Sequence, residues 1–201
     1  MNRSKIEFCD YTWNPIVGCE FSCSYCYARR FHHRFNPGSF DVPTFYPDRL
    51  LEPDKLKKPS KIFVGSMADI FSFSVKDEWI EQILQVVRDN PQHTFQFLSK
   101  ASQHFKKFDI PRNVWLGTSV SQWSMHNQER VNDLVSCGCK YTSFVLVEPL
   151  LGSMKYMDLE AVDFVYVGAM TGPGSIVPDP EWIQSIKHHS IIWKENIKKY
   201  L

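Results

Sequence analysis

Gly18-Cys19-Glu20-Phe21-Ser22-Cys23-Ser24-Tyr25-Cys26-Tyr27-Ala28 holds three of the chain's six cysteines within eight residues, spaced Cys, three residues, Cys, two residues, Cys. Thiols crowded in this way ask for a metal. Three thiolates can hold three irons of a 4Fe-4S cube and leave the fourth iron an open position, where a substrate or cofactor binds. A ferredoxin that only carries electrons would close its cluster with a fourth cysteine at short spacing, and after Cys26 none follows until Cys137. Structural zinc is the competing reading, on Cys23 and Cys26 with Cys137 and Cys139, or on Cys19, Cys23 and Cys26 with Cys9 or a histidine of His32-His33. Otherwise Cys9, Cys137 and Cys139 read as small apolar packing residues.

Outward from that loop, 201 residues suit one sizeable core, so a single domain over 1–201 is the expectation. The formal net charge of +1 does not point to a dedicated nucleic-acid binder, although it leaves room for a local basic patch. Met1-Asn2-Arg3-Ser4-Lys5 opens without the apolar core of a secretory signal, and no run approaches membrane-spanning length. Cysteines clustered for metal rather than spread as a disulfide framework predict a reduced, cytoplasmic protein with no membrane partner.

Strand-like segments alternate with amphipathic helical ones, which predicts an α/β fold with a parallel sheet. Strands are expected within 10–14 and over 61–67, 93–98, 113–119, 142–147 and 164–168, with a seventh at 191–193. A first helix over about 25–35 ends at Asn36-Pro37-Gly38. A second opens at Ser74, with Asp77 three residues on, and presents Trp79, Ile80, Ile83, Leu84 and Val87 on one face. Short helix is expected over 103–108, a further helix over 124–136, and a last one from the Asp179-Pro180 cap to near residue 189. The stretch 38–59, with Pro43, Pro47, Pro53 and Pro59, is long for a connection and reads as a lid, a substrate contact or simple packing. Six or so βα units are too few for a closed eight-stranded barrel and predict a partial one.

In such folds function gathers at the carboxyl ends of the strands. Those ends are polar here: Gly65-Ser66-Met67 with Asp69, Ser99-Lys100, Thr118-Ser119, Glu148 and Gly168. Glu148 suits a ribose, an ammonium or a substrate, and as an ordinary residue it is a solvated turn before Pro149. Lys100 suits a carboxylate or phosphate and is otherwise a surface lysine. Gly168 lets another group approach the backbone, or marks tight packing. Arg29-Arg30-Phe31-His32-His33-Arg34 is a charged helix face, or a site for a phosphate-bearing substrate.

The cysteine spacing, with aromatic Tyr25 before the last thiol, resembles the cluster loop of the radical S-adenosylmethionine (SAM) superfamily. Thr12-Trp13-Asn14-Pro15, the run from Gly65 to Phe71, Glu148-Pro149-Leu150-Leu151-Gly152 and the run from Val167 to Pro173 are similar to the small phage-type and archaeal members of that superfamily. The resemblance implies a partial (β/α)6 TIM-like barrel of the radical SAM type. It also implies a 4Fe-4S cluster on Cys19, Cys23 and Cys26, and SAM chelated at the open iron. One electron from an external reductant of the flavodoxin or ferredoxin type would then yield a 5'-deoxyadenosyl radical that abstracts hydrogen from a substrate. Gly65, Ser66, Met67 and Asp69 would meet the SAM ammonium. Ser119, with Thr118 behind it, would meet the carboxylate or ribose, and Tyr25, Ser99, Glu148 and Gly168 complete the expected contacts; Glu148 and Lys100 are the candidates for a catalytic role. No substrate comes with the likeness; a nucleic acid or nucleotide is one class it admits. The rival function is a non-catalytic nucleic-acid-binding module stabilised by zinc or a cluster at the same cysteines.

Overall fold

The computed structural model describes residues 1–36, 38–138 and 140–201, and within them the chain divides into two compact units, Met1–Trp115 and Leu116–Leu201. Among the described residues, ten strands and five α-helices are interleaved along the chain as an α/β protein, as the sequence predicts. In the first unit lie β1 (Asn2–Arg3), β2 (Tyr11–Trp13), β3 (Ile16–Val17), α1 (Tyr27–Phe35), β4 (Thr44–Phe45), β5 (Lys61–Val64), α2 (Asp77–Asp89) and β6 (Thr94–Ser99). Strand β7 (Val114–Val120) begins in that unit and continues into the next, followed by α3 (Met125–Val135), β8 (Thr142–Val147), β9 (Phe164–Val167), α4 (Pro180–Gln184), β10 (Ile191–Trp193) and α5 (Glu195–Lys198). The strand order is β1-β2-β5-β6 in the first unit, where β3 and β4 pair separately, and β8-β9-β10 in the second.

Within the first unit β2, β5 and β6 run parallel, Trp13 opposite Val64 and Val64 opposite Phe97. Strand β5 is buried at three of its four positions, and β6 buries Phe95, Gln96 and Phe97 in succession. Such continuous burial is what a parallel strand covered on both faces shows, Gln96 being accommodated by donating to the Phe8 carbonyl. Helix α2 lays Ile80, Ile83, Leu84 and Val87 into the core, the face its periodicity predicts. Trp79, read as part of that face, sits half-buried and stacks on Phe45, ring centroids 5.3 Å apart.

Phe45 belongs to the 38–59 stretch, which is organised by β4 and two 3-10 turns, Pro47–Leu51 and Pro53–Lys55. Its hold on the core is direct. The Trp13 indole donates to the Arg49 carbonyl at 2.8 Å, and the Arg49 guanidinium donates to the Asn14 carbonyl at 2.8 Å.

Several boundaries differ from the sequence reading for local reasons. Helix α2 starts after Lys76, which gives no side-chain cap, because Ser74 is engaged elsewhere: its hydroxyl meets Ser72 and its N–H donates to Glu20. Asp77 and Glu78 in the first turn answer the helix dipole instead. The expected helix at 103–108 is a 3-10 turn, Ser102–Lys107. Strand β5 stops at Val64, because Gly65 turns the chain at φ +82°, where a Cβ would also lie 2.6 Å from the Ile70 side chain. In the second unit β8 matches the expected 142–147 span; β8, β9 and β10 run parallel, Val147 opposite Val167 and Val167 opposite Trp193. Asp179 caps α4 through the Glu181 N–H as expected, but the helix ends at Gln184 rather than near 189. The Ser185 hydroxyl there bonds back to the Trp182 carbonyl and accepts from Met154 N–H. No helix among the described residues is long and apolar enough to cross a membrane.

Candidate cofactor site at the cysteine loop

Cys19, Cys23 and Cys26 share one loop in the first unit, each partly exposed and none in a disulfide. Two ends of the loop are pinned. The Cys19 N–H donates to the Phe40 carbonyl at 2.7 Å, and Cys26 is the N-cap of α1, its sulfur accepting from Arg29 N–H at 3.4 Å. Between them Ser22 takes a positive φ of 28° and Cys26 N–H donates to the Cys23 carbonyl at 3.0 Å. The Arg29 guanidinium clasps the turn from outside, donating to the Cys19 carbonyl, the Ser22 hydroxyl and the Asp41 carboxylate. Its bond to Asp41 holds that carboxyl below the ordinary range, with Ser39 helping. Nothing in the basic run 29–34 marks Arg29 as the residue that faces the loop.

Burial pushes the Cys19 thiol up to about 12, against an opposing backbone hydrogen bond from Phe21; Asp69, Cys23 and Cys26 are near enough that their negative charge adds to the rise. Mutual electrostatic reach and three thiols of one chemical kind are what a thiolate-bound cluster needs, and the N-terminus of α1 puts partial positive charge beside the Cys26 sulfur. The donor set fits. Among the described residues, however, no group of three or more His, Cys, Asp or Glu side chains is gathered in an arrangement that could hold a metal ion. In this arrangement the Cys26 sulfur is occupied as a helix cap. The alternative zinc ligands have local partners: Cys9 meets the Ser4 hydroxyl at 3.2 Å, and Cys137 donates to the Asp133 carbonyl at 3.4 Å. Cys139 lies outside the described residues.

Around the loop, the turn after β5 is tightly bonded. The Tyr27 hydroxyl donates to the Ser66 carbonyl at 2.5 Å, Gly18 N–H to the Met67 carbonyl at 3.0 Å, and Ala68 N–H to the Gly65 carbonyl at 3.1 Å. Each of these carbonyls keeps a second lone pair. The Asn14 side-chain oxygen holds the turn in place, accepting from Ser66 Oγ and Met67 N–H. Asp69 is fully buried and turned inward, accepting from Ser99 Oγ at 2.6 Å, Lys100 N–H at 2.8 Å and Phe71 N–H at 3.2 Å. The Lys100 ammonium reaches the Tyr25 hydroxyl at 3.1 Å, tying the end of β6 to the cysteine loop.

The second unit has its own polar cluster. Glu148 follows β8, and its two oxygens receive the Lys194 ammonium at 2.6 Å and the Asn196 amide at 2.8 Å. Asn196 also bridges both backbone groups of Ala169 at 3.1 Å. Gly168 is where the carboxylate crosses the backbone: a Cβ there would lie 2.5 Å from Glu148 Oε1. Thr118 and Ser119 are buried on β7. Lys194 and Asn196 escaped the sequence reading, since a lysine and an amide after a short apolar strand carry no mark of a carboxylate 46 residues away.

Both members of the Glu148–Lys194 pair are more than three-quarters buried. Lys194→Met should therefore lower stability by about 2–3 kcal/mol, and Glu148→Gln, which keeps the Asn196 contact, by about half as much. Chemical denaturation of the two variants and the double variant checks this; a double variant whose loss equals the sum of the two single losses would show that the pair is not coupled.

A family model described as a protein of unknown function (DUF5131) matches residues 3–194. Over 80 residues the chain is 31% identical to the uncharacterized protein MJ0683 of Methanocaldococcus jannaschii, a segment covering 38% of this chain and 30% of that protein. Among solved structures, a mutant spore photoproduct lyase with bound AdoMet and dinucleoside spore photoproduct superposes with a TM-score of 0.59 at 12% identity, covering 85% of this chain and 58% of that one. Spore photoproduct lyase complexed with dinucleoside spore photoproduct gives 0.53 at 13% identity, over 84% of this chain and 58% of the other. The chain thus spans less than two thirds of the length of these relatives, and the lyase likeness is one of fold.

Proposed function

The chain belongs to the DUF5131 family, and from its cysteine loop we propose that it is a radical SAM enzyme whose Cys19, Cys23 and Cys26 hold a 4Fe-4S cluster. The observation that carries this reading is that three undisulfided thiols lie on one short loop, braced by Arg29 and by the start of α1. A fold shared with a protein that binds AdoMet supports it. When bound, such a cluster with SAM at its open iron supplies a one-electron cleavage of the sulfonium and a 5'-deoxyadenosyl radical for hydrogen abstraction.

The chain's own residues do the holding. Arg29 fixes the Cys19 carbonyl and the Ser22 turn, which braces the loop that carries the thiols. Lys100 and Tyr25 bind each other and steady the rim beside Cys26. The free lone pairs of the Gly65, Ser66 and Met67 carbonyls are the acceptors for the SAM ammonium. Asp69 with Ser99 serves that site by holding the turn rather than through a free carboxylate. Within the second unit, Lys194 and Asn196 orient Glu148 by holding its two oxygens. An external flavodoxin- or ferredoxin-type reductant in the cytoplasm supplies the electron.

Anaerobic reconstitution with iron and sulfide should load about four of each per chain. Dithionite should then release 5'-deoxyadenosine and methionine from SAM. One tightly held zinc in place of iron, or a fully loaded cluster that leaves SAM intact, overturns the proposal.

A further inference from the structure

Helix α1 carries more than the cysteine cap. Its sequence, Tyr-Ala-Arg-Arg-Phe-His-His-Arg-Phe, contains no acid, and three of its aromatic residues fall four apart at Tyr27, Phe31 and Phe35. Residues so spaced lie on one face. A soluble helix normally turns such a stripe into the core, yet Phe31 and Phe35 are 57% and 62% exposed, their rings 4.9 Å apart. Arg30 and Arg34, also four apart and exposed, flank the stripe and make no ion pair with any described residue.

Phe31 and the next residue, His32, also line a cavity of about 390 Å³ with Asn14, Tyr46 and Arg49. That volume is in the range of small-ligand pockets. Two polar atoms of these lining residues lack partners among the described residues: His32 Nδ1 is buried without a hydrogen bond, and the Asn14 amide nitrogen makes none, although the Asn14 oxygen is held by Ser66 and Met67. Arg49 lies over the Tyr46 ring at 4.0 Å, a guanidinium–aromatic pair at the same wall. A buried polar atom is rarely left unmatched, so His32 Nδ1 awaits an occupant that offers a hydrogen bond, and the Asn14 amide has a donor to spare for the same occupant.

Resting on the radical SAM reading, we propose that the substrate is a single-stranded nucleic acid. Its phosphates run along Arg30 and Arg34, its bases stack on Phe31 and Phe35, and one base enters the cavity to bond the Asn14 amide and His32. Exposed aromatic rings interleaved with arginines that make no ion pair with a described residue, Arg34 lying 5.6 Å over the Phe35 ring, are the arrangement that holds unpaired bases without reading sequence. A duplex hides the base faces this surface would use. The absence of any acid on the helix suits a polyanion, and aromatic rather than aliphatic residues suit a stacked base.

Fluorescence anisotropy of the cluster-loaded protein with labelled single-stranded DNA, single-stranded RNA and duplex of the same sequence tests this. At least one single strand should bind, and more tightly than the duplex, with the DNA and RNA arms showing which sugar is preferred. Phe31→Ala should weaken binding roughly tenfold, the loss of one stacked base. The Arg30→Ala, Arg34→Ala double variant should make the salt dependence shallower by about 1.4 in the slope of log K against log salt, for two single-strand phosphates. Both sets of residues are exposed, so melting temperatures should not move. Binding that is equal in the wild type and Phe31→Ala, duplex bound as tightly as single strands, or an acidic peptide bound in preference to either nucleic acid overturns the inference. Cleavage of SAM without any oligonucleotide is a separate readout: if it persists while oligonucleotide binding fails, the substrate class falls and the cluster chemistry stands.

Discussion

Cys19→Ala, Cys23→Ala and Cys26→Ala should each abolish release of 5'-deoxyadenosine, lowering it by more than about a hundredfold, since altering residues one layer out from a metal already costs up to that factor. A cube bound by three sulfurs has no spare ligand, so each variant should also lose most of its iron and its brown absorbance. Cys9→Ala and Cys137→Ala are the comparison. Their sulfurs sit against the Ser4 hydroxyl and the Asp133 carbonyl, and neither variant should change the iron content. Iron retained after loss of any one of the three loop thiols would remove that residue from the ligand set; iron lost with Cys9 or Cys137 would enlarge it. The three losses should differ in their effect on folding. Cys26 caps α1, so its alanine variant also forfeits a bond to Arg29 N–H and should melt at a lower temperature than Cys23→Ala.

Much of this arrangement was legible in the sequence because it rests on short-range pattern. The apolar spacing of α2 spelled out its buried face, and the β-branched and aromatic run at 142–147 gave β8 to the residue. Pattern failed where a single side chain chose between partners. Ser74 has the chemistry of a helix cap but spends it on Ser72, and Ser185 cuts α4 short by bonding Trp182 and Met154. Pieces too short to show a period, such as β1, the β3–β4 pair and α5, had no signature at all. The candidate site divides in the same way. The thiols announce themselves by spacing, while the groups that brace them, Arg29, Asn14 and Tyr27, act through backbone atoms 10 to 53 residues away. Asp69 was legible only as a polar strand end. Parallel neighbours place their carboxyl ends side by side, which puts the acid after β5 within reach of the hydroxyl at the end of β6.

Asp69→Ala should be the most destabilising single change in the first unit. Its carboxylate is wholly buried and receives three donors, one hydroxyl and two backbone N–H groups, which join the turn after β5 to the end of β6. Alanine leaves Lys100 N–H and Phe71 N–H unpaired; the Ser99 hydroxyl can rotate to another acceptor, but the backbone groups cannot. At 1–3 kcal/mol for each orphaned donor, the loss is about 4 kcal/mol, enough to unfold a domain of ordinary stability in part. Asp69→Asn should cost only about 1–2 kcal/mol, because its oxygen can keep Lys100 while its amide donates to Ser99, and only the longer Phe71 bond is given up. The pH dependence separates hydrogen bonding from charge. Burial raises the Asp69 pKa above its ordinary value despite the bonds from Ser99 and Lys100, so the folded state holds its proton more firmly than the unfolded one. The stability this contributes is complete below the ordinary carboxylate range and is lost as pH rises through the folded-state pKa. Wild type should thus lose stability relative to Asp69→Asn across that window, a difference that urea titrations at a series of pH values can measure. A wild type that gains on the asparagine variant with rising pH would mean that the three donors outweigh burial and that the carboxylate is ionised throughout.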